Sequence, residues 1–207
     1  MSANLGQVLV TPLQSPYPPL AVGFFGLATG YLIWGPMELF DYPKRNASVD
    51  FGTGIWGIWM TGFMQFFTGV YLFAGLTLFG TFRTPAFYMA ALAFTAYGVH
   101  WFAIGWNRAR QIDQRVNVGM AVAFTLIGIL GIIVFFGAHD NPVAGVFIGL
   151  TCVYIADFFA SLRPDFETVG LIGQRATGFF RLGTGFWLIY MTYAVTLDFA
   201  LGYTLPT

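Results

Sequence analysis

A tyrosine and a histidine lie one helical turn apart within an apolar stretch of this chain. Tyr97 and His100 fall in the segment FTAYGVHW, residues 94–101. Residues at i and i+3 project from one face of a helix, and polar groups at membrane depth usually face protein or a water-filled path. We therefore expect both side chains to line a narrow solute path, with His100, whose ordinary pKa of about 6.5 suits proton exchange, as a proton donor. Alternatively, both residues are structural: the Tyr97 hydroxyl bonds a backbone carbonyl, and the hydrogen-bonding groups of His100 are satisfied within the core.

Three further polar side chains occupy apolar surroundings. Gln65 has more hydrogen-bonding demand than lipid can meet, so it bonds across helices or lines the solute path. Asp157 either marks a mouth of that path or is a carboxylate at the membrane interface. Arg181 attracts anions to an entrance or extends its charge to the membrane interface.

Composition assigns the class of protein that must position these residues. Of 207 residues, 57% are hydrophobic and 9% are charged, and the mean hydropathy is +0.70. Soluble domains carry about a quarter charged residues, so the chain is predicted to be a polytopic membrane protein. Its formal net charge is zero, and without a basic cluster we expect no nucleic-acid partner.

The residues that could support catalysis or hold a cofactor are few. Cys152 is the single cysteine, which excludes an intrachain disulfide and a cysteine-based metal cluster. It forms no recognisable nucleophile–base arrangement with His100, and the sequence has no glycine-rich phosphate loop. We expect no enzyme activity, no metal site and no cofactor.

Six apolar spans have the length of about 20 residues that crosses a bilayer. They predict an all-α bundle of six transmembrane helices, with residues 1–17 as an N-terminal segment and 18–207 as one transmembrane domain. The connectors are too short to hold another domain. The predicted spans are 18–39, 53–80, 85–106, 116–137, 142–162 and 177–201.

Glycines and basic residues add expectations about packing and orientation. Gly178, Gly183 and Gly185 in the last span are predicted to let helices approach closely. Seven of the nine basic residues fall in the connectors 1–2, 3–4 and 5–6. By the positive-inside rule, both termini would lie outside the cytoplasm.

Motifs on three spans resemble the acetate uptake transporter family, of the succinate-acetate permease type. The stretch PLAVGFFGLAT, residues 19–29, is similar to the family's opening signature. Gly62-x-x-Gln65-x-x-x-Gly69 resembles its second-helix motif, and Phe94-Thr95-Ala96-Tyr97-Gly98 resembles its third. All six spans can be threaded onto the family's six helices.

The resemblance implies a ring of six protomers, each with its own pore for acetate and related small carboxylates, including succinate. It implies a constriction of Phe25, Tyr97 and Leu150, with Thr151 beside it as a further candidate for the pore lining or a proton relay. It also implies location in a bacterial or archaeal plasma membrane. It implies cytoplasmic termini, whereas the positive-inside rule predicts termini outside the cytoplasm.

The chemistry of the solute bears on what such a constriction would pass. A carboxylic acid with a pKa of about 4.3 pays roughly 3.7 kcal/mol to be neutral at pH 7, whereas a bare carboxylate in a low dielectric costs tens of kcal/mol. A dry constriction thus favours the protonated acid, or an anion with a proton supplied nearby, as in a channel or a proton-coupled transporter. Two alternatives remain: a haem-bearing anchor with His100 as axial ligand, and a non-catalytic transmembrane subunit of a larger complex.

Overall fold

The structure, a computed structural model, describes residues 19–206. The N-terminal segment predicted for residues 1–17 lies outside the described residues. Within the described part, six helices are long and apolar enough to cross a membrane, which confirms the predicted all-α integral membrane fold. They are α1 (Leu20–Leu39), α2 (Ala47–Leu78), α3 (Ala86–Ala109), α4 (Val118–Gly137), α5 (Asn141–Ser161) and α6 (Glu167–Leu201).

Three helices extend beyond their predicted spans: α3 continues to Ala109 instead of residue 106, so Arg108 lies in a helix, and α2 and α6 begin earlier than predicted. α2 begins at Ala47 instead of residue 53, and α6 begins at Glu167 instead of residue 177, so Arg175 lies in a helix and not in a connector. Hydropathy detects only the lipid-facing part of a helix, whereas backbone hydrogen bonds continue through polar turns. At 1.5 Å per residue, α6 is about 50 Å long, well beyond the roughly 30 Å hydrocarbon core.

Local sequence signals account for several helix ends. Asn46 caps α2 by accepting a hydrogen bond from the Val49 amide at 3.0 Å, and Asp140 caps α5 through the Val143 amide at 3.1 Å. Asp140 is followed by Asn141 and Pro142, and proline suits a first helical turn. α6 ends at Gly202, whose φ of 73° is a left-handed conformation that glycine adopts without strain.

The helix α2 contains two π-helical segments. Gly57–Phe63 and Ala74–Leu78 interrupt its α-helical hydrogen bonding, and π-helical turns are frequent at functional sites. The first segment ends just before Gln65. Both Thr61 and Gln65 are completely buried, so polar groups of α2 lie inside the bundle and not against lipid.

Close helix contacts depend on particular glycines. α1 packs against α6, where a Cβ added to Gly178 would lie 2.5 Å from the Leu39 amide nitrogen. α2 packs against α3, where a Cβ on Gly98 would lie 2.5 Å from the Phe66 nitrogen. Gly183 differs from the prediction, because such a Cβ would have no described atom of another helix within 4 Å, and its side of α6 is exposed.

Candidate solute path

Four rings from three helices pack together near the middle of the bundle. The ring centroids are 4.9 Å apart for Tyr97 and Phe124, 5.1 Å for Phe124 and Tyr154, and 4.4 Å for His100 and Phe124. Tyr97 and His100 are 2% and 3% exposed. We call these four residues the aromatic plug. It brings together the tyrosine and the histidine whose spacing predicted a shared face of α3.

A first cavity, the apolar cavity, lies on one side of the aromatic plug and contacts Tyr97. It has a volume of about 50 Å³ and is formed by the N-terminal halves of α1, α3 and α5 with parts of α2, α4 and α6. Its lining is almost entirely hydrocarbon, apart from Gln65, Tyr97 and Asp140. The other lining residues are Leu20, Phe24, Leu27, Phe87, Ala90, Ala93, Phe94, Phe135, Val143, Val146, Phe147, Leu150 and Leu188.

A second cavity, the charged cavity, lies at the opposite ends of α1, α3 and α5. Its volume is about 90 Å³, and three arginines and two acidic residues line it. Because the two cavities occupy opposite halves of the same helices, the aromatic plug lies between them. The lining residues are Trp34, Glu38, Arg45, Ile104, Asn107, Arg108, Gln111, Ile112, Gln114, Asn117, Asp157, Ser161 and Arg181.

Buried ion pairs organise the charged cavity. Arg181 of α6 donates a hydrogen bond to the Glu38 carboxylate of α1, and a second Arg181 nitrogen lies 3.8 Å from Asp157 of α5. On the other side of the cavity, Arg108 of α3 lies 3.4 Å from the Asp50 carboxylate. Buried charges in proteins require such partners because leaving water is costly for an ion.

Several polar atoms at the aromatic plug and the apolar cavity are buried without a hydrogen-bond partner in residues 19–206. They are the hydroxyl of Tyr97, Nδ1 of His100 and Oε1 of Gln65. Gln65 satisfies only its amide nitrogen, which donates to the Thr61 carbonyl at 3.1 Å. Buried polar atoms are normally paired, so these atoms have the capacity to bind a passing solute or water.

The structure corrects the predicted position of Phe25. This side chain is 42% exposed and does not line either cavity, whereas its neighbour Phe24 is 4% exposed and lines the apolar cavity. Successive residues lie about 100° apart around a helix. A one-residue offset therefore turns the predicted constriction residue toward the outside of the bundle. Tyr97 and Leu150 both line the apolar cavity, and their role in a constriction stays a prediction.

Thr151 is also placed differently from the prediction. Its hydroxyl donates to the Phe147 carbonyl at 2.8 Å, and a Cβ on Gly128 would lie 2.4 Å from that hydroxyl oxygen. The side chain therefore packs against α4 and lines neither cavity. Gln65 lines the apolar cavity, while Asp157 and Arg181 meet in the charged cavity.

Sequence reasoning missed several residues that the structure brings to the path. Phe124 and Tyr154 look like ordinary apolar-helix residues, and no spacing distinguishes them. Glu38 could have been found, because an acidic residue inside an apolar span needs a partner. The sequence around Asp140 indicated only a helix cap, yet this residue lines the apolar cavity. Burial raises the pKa of its carboxyl above the ordinary value.

The two histidines are not brought together. His100 is enclosed by Phe124 and Tyr154 on the plug, whereas His139 lies in the turn between α4 and α5 and is next to Asp140 in sequence. Asp140 borders the far end of the apolar cavity. His100 and His139 therefore do not form the pair of axial ligands that a haem anchor within one chain would need.

The fold and its cavities define a six-helix integral membrane protein with a cavity on each side of an aromatic plug. A scan against protein-family models finds no match, and a search of curated proteins finds none either. Among solved structures, the chain is similar to the bacterial acetate channel SatP, with a TM-score of 0.66 and 17% sequence identity over 91% of this chain and 97% of that chain. The fold implied by the resemblance to acetate uptake transporters is thereby confirmed.

Proposed function

We propose that this protein is a membrane channel or proton-coupled transporter for acetate and related small carboxylates, with succinate in its range. The observation that carries the proposal is the pair of cavities on opposite sides of the aromatic plug. A solute that passes this plug crosses from one end of the bundle to the other. The structural likeness to an acetate channel supports a carboxylate as that solute.

The apolar cavity suits the protonated form of such an acid. A neutral acid at pH 7 costs roughly 3.7 kcal/mol to form, far less than placing a bare carboxylate in hydrocarbon. The acid has one donor and an acceptor carbonyl, and Gln65 Oε1 and the Tyr97 hydroxyl are the unpartnered polar atoms that could meet them. Phe24, Leu150 and Leu188 supply the remaining apolar contacts.

The charged cavity suits the anion, so a proton must leave the solute between the two cavities. His100 lies there, and its Nδ1 has no hydrogen-bond partner in the described residues. We assign it the role of proton relay. Arg181, which is buried beside Glu38 and Asp157, attracts the anion to this end of the path.

The membrane context completes the proposal. We propose that the charged cavity lies on the cytoplasmic side of a bacterial or archaeal plasma membrane, because the connectors at its end carry most of the basic residues and the positive-inside rule favours that orientation. The protein moves its solute without covalent chemistry and therefore is not an enzyme. Following the family resemblance, it forms a homo-oligomer, and we propose a hexamer with one path in each protomer.

Uptake of labelled acetate into proteoliposomes at pH 5.5 and pH 7.5 tests this function. We expect uptake above that of empty liposomes, and higher at the lower pH because more of the acid is protonated. Tyr97→Phe removes only the hydroxyl and should lower the rate several-fold. Phe24→Ala should change the rate strongly, whereas its neighbour Phe25→Ala, on the exposed face, is the matched control and should not.

Two results would contradict the proposal. The absence of uptake at both pH values, from protein shown to be folded by circular dichroism, would reject carboxylate transport. Equal effects of Phe24→Ala and Phe25→Ala would show that the solute does not pass through the apolar cavity. His100→Gln separates the proton relay from the path: equal transport at every pH would reject the relay alone.

A further inference from the structure

Two buried arginines of the charged cavity share one indole ring. The guanidinium carbons of Arg108 and Arg181 lie 4.2 Å and 5.3 Å from the ring centroid of Trp34. Their side chains are only 6% and 5% exposed. Two like charges in so small a space repel each other, and the repulsion is strong where water does not screen it. Such an arrangement is stable only if negative groups lie among them.

The hydrogen-bonding capacity of these two arginines is not filled. A guanidinium has five N–H donors. Nε of Arg181 has no hydrogen-bond partner in the described part of the chain, and Nε of Arg108 faces only the Asp50 carboxylate, at 3.4 Å. Arg108 directs another donor to the Met37 sulfur at 3.2 Å, and a thioether is a weak acceptor. Arg181 therefore retains an unpartnered donor among the described residues, and Arg108 retains a donor that faces only a weak acceptor.

The carboxylates that neutralise Arg181 differ in how firmly they are held. Glu38 accepts a hydrogen bond from Arg181. Asp157 lies 3.8 Å from it, well beyond the roughly 2.7–2.9 Å of a charge-assisted hydrogen bond. Asp157 is also the more exposed of the two, at 19% against 13% of the side chain. Of the internal carboxylates, Asp157 is the easier one to displace.

We propose that the charged cavity contains a carboxylate-binding site formed by Arg108 and Arg181 against Trp34, in which an incoming carboxylate displaces Asp157. The cavity volume of about 90 Å³ corresponds to roughly three water molecules at about 30 Å³ each, which is room for an acetate-sized ion. The choice of acetate as the probe rests on the proposed function. The site itself follows from two buried guanidiniums in one cavity whose hydrogen-bonding capacity is only partly filled by residues 19–206.

Binding is measured without transport, on the full-length protein in detergent. Saturation-transfer NMR to the acetate methyl at pH 7.5 reports bound ligand, and a titration at constant ionic strength gives the dissociation constant. We expect saturable binding that weakens at least tenfold in Arg108→Gln. The matched control is Arg110→Gln, since Arg110 also stacks on an indole, at 4.6 Å from the Trp106 centroid, but is exposed and outside the cavity.

Asp157→Asn distinguishes a binding site from a merely structural ion network. This substitution keeps the shape of the side chain but removes the competing charge, so acetate should bind about three- to tenfold more tightly. A structural role predicts unchanged or weaker binding. Arg181→Lys retains the charge beside Glu38, and it should weaken binding while the protein stays folded.

The outcomes decide the inference separately from the proposed function. Acetate binding that is absent, unsaturable or insensitive to Arg108→Gln overturns the site, and so does an Asp157→Asn variant that binds no more tightly. Arginine-dependent binding in a protein that fails to transport acetate in proteoliposomes would reject the proposed function and leave the site. Transport with no binding at these arginines would reject the site and leave the function.

Discussion

Two glycines five residues apart on α6 should respond oppositely to the same substitution. A Cβ on Gly178 would lie 2.5 Å from the Leu39 nitrogen and 2.8 Å from the Gly35 carbonyl oxygen, both backbone atoms of α1. A Cβ on Gly183 meets no described atom of another helix within 4 Å. Alanine is favoured over glycine in a helix by about 1 kcal/mol at either position. Only Gly178→Ala adds overpacking, which costs about 1–3 kcal/mol.

The magnitude for Gly178→Ala lies at the upper end of that range, because backbone cannot rotate away as a side chain can. To restore ordinary contact, α1 must withdraw by about 1 Å. We expect Gly178→Ala to destabilise the protein by about 2 kcal/mol net and Gly183→Ala to be neutral or stabilising by up to about 1 kcal/mol. The carbonyl carbon of Glu38 lies 3.0 Å from the same added Cβ, so Gly178→Ala should also disturb the Glu38–Arg181 ion pair.

Unfolding in mixed micelles, followed by far-ultraviolet circular dichroism during titration with a denaturing detergent, measures both variants against the unmodified chain. Acetate binding to each variant shows whether the charged cavity is disturbed. Equal midpoints for the two variants would refute the close α1–α6 contact, and so would a Gly178→Ala protein more stable than the unmodified chain.

Two further changes test the apolar cavity. Gln65→Leu removes a buried amide whose Oε1 has no partner in the described residues, so we expect the stability of the protein to stay within about 1 kcal/mol of the original. Acetate uptake should become several-fold slower. A large loss of stability with unchanged uptake would identify Gln65 as purely structural. Asp140→Asn keeps the cap of α5, since Asn and Asp cap equally well. Burial raises the pKa of Asp140, so its protonated form is favoured in the folded state, and stability falls as pH rises from 3.8 through the raised value. The Asn variant should therefore be at least as stable at pH 7 and should lose this pH dependence, as thermal unfolding at several pH values would show.

Hydropathy predicted the six helices because lipid imposes one requirement on every spanning segment: an apolar run of sufficient length. It could not locate the ends of α2 and α6, which continue through polar turns that lipid does not contact. At Asn46 the end was readable from chemistry, since a residue of this type before a helix is a typical cap. At Glu167 no side-chain cap is formed, and the sequence contains no comparable signal.

The candidate site was predictable where two residues share one helix face. Tyr97 and His100 needed only the geometry of a single helix. The constriction role was assigned to Phe25 from the resemblance to a family. An offset of one residue, from Phe24 to Phe25, moves the side chain from the inner face of the helix to its outer face. The Glu38–Arg181 pair joins residues 143 positions apart. Their contact depends on how α1 packs on α6, which no local pattern specifies, although each charge alone indicated that a partner was needed.

The contrast between the two cavities constrains the proposed transport cycle. Among the described residues that line the apolar cavity, Asp140 is the one acidic residue and none is basic. In the proposed cycle this cavity therefore takes the solute as a neutral acid. In the charged cavity, arginines whose donors are only partly filled by the described residues favour the anion. In the proposed cycle, a solute that crosses from the first cavity to the second releases its proton at the aromatic plug, where Nδ1 of His100 has no hydrogen-bond partner in residues 19–206. His100→Gln should accordingly slow transport most when the solute arrives protonated at the apolar cavity. Acetate binding in the charged cavity should be unaffected, because that step involves the anion alone.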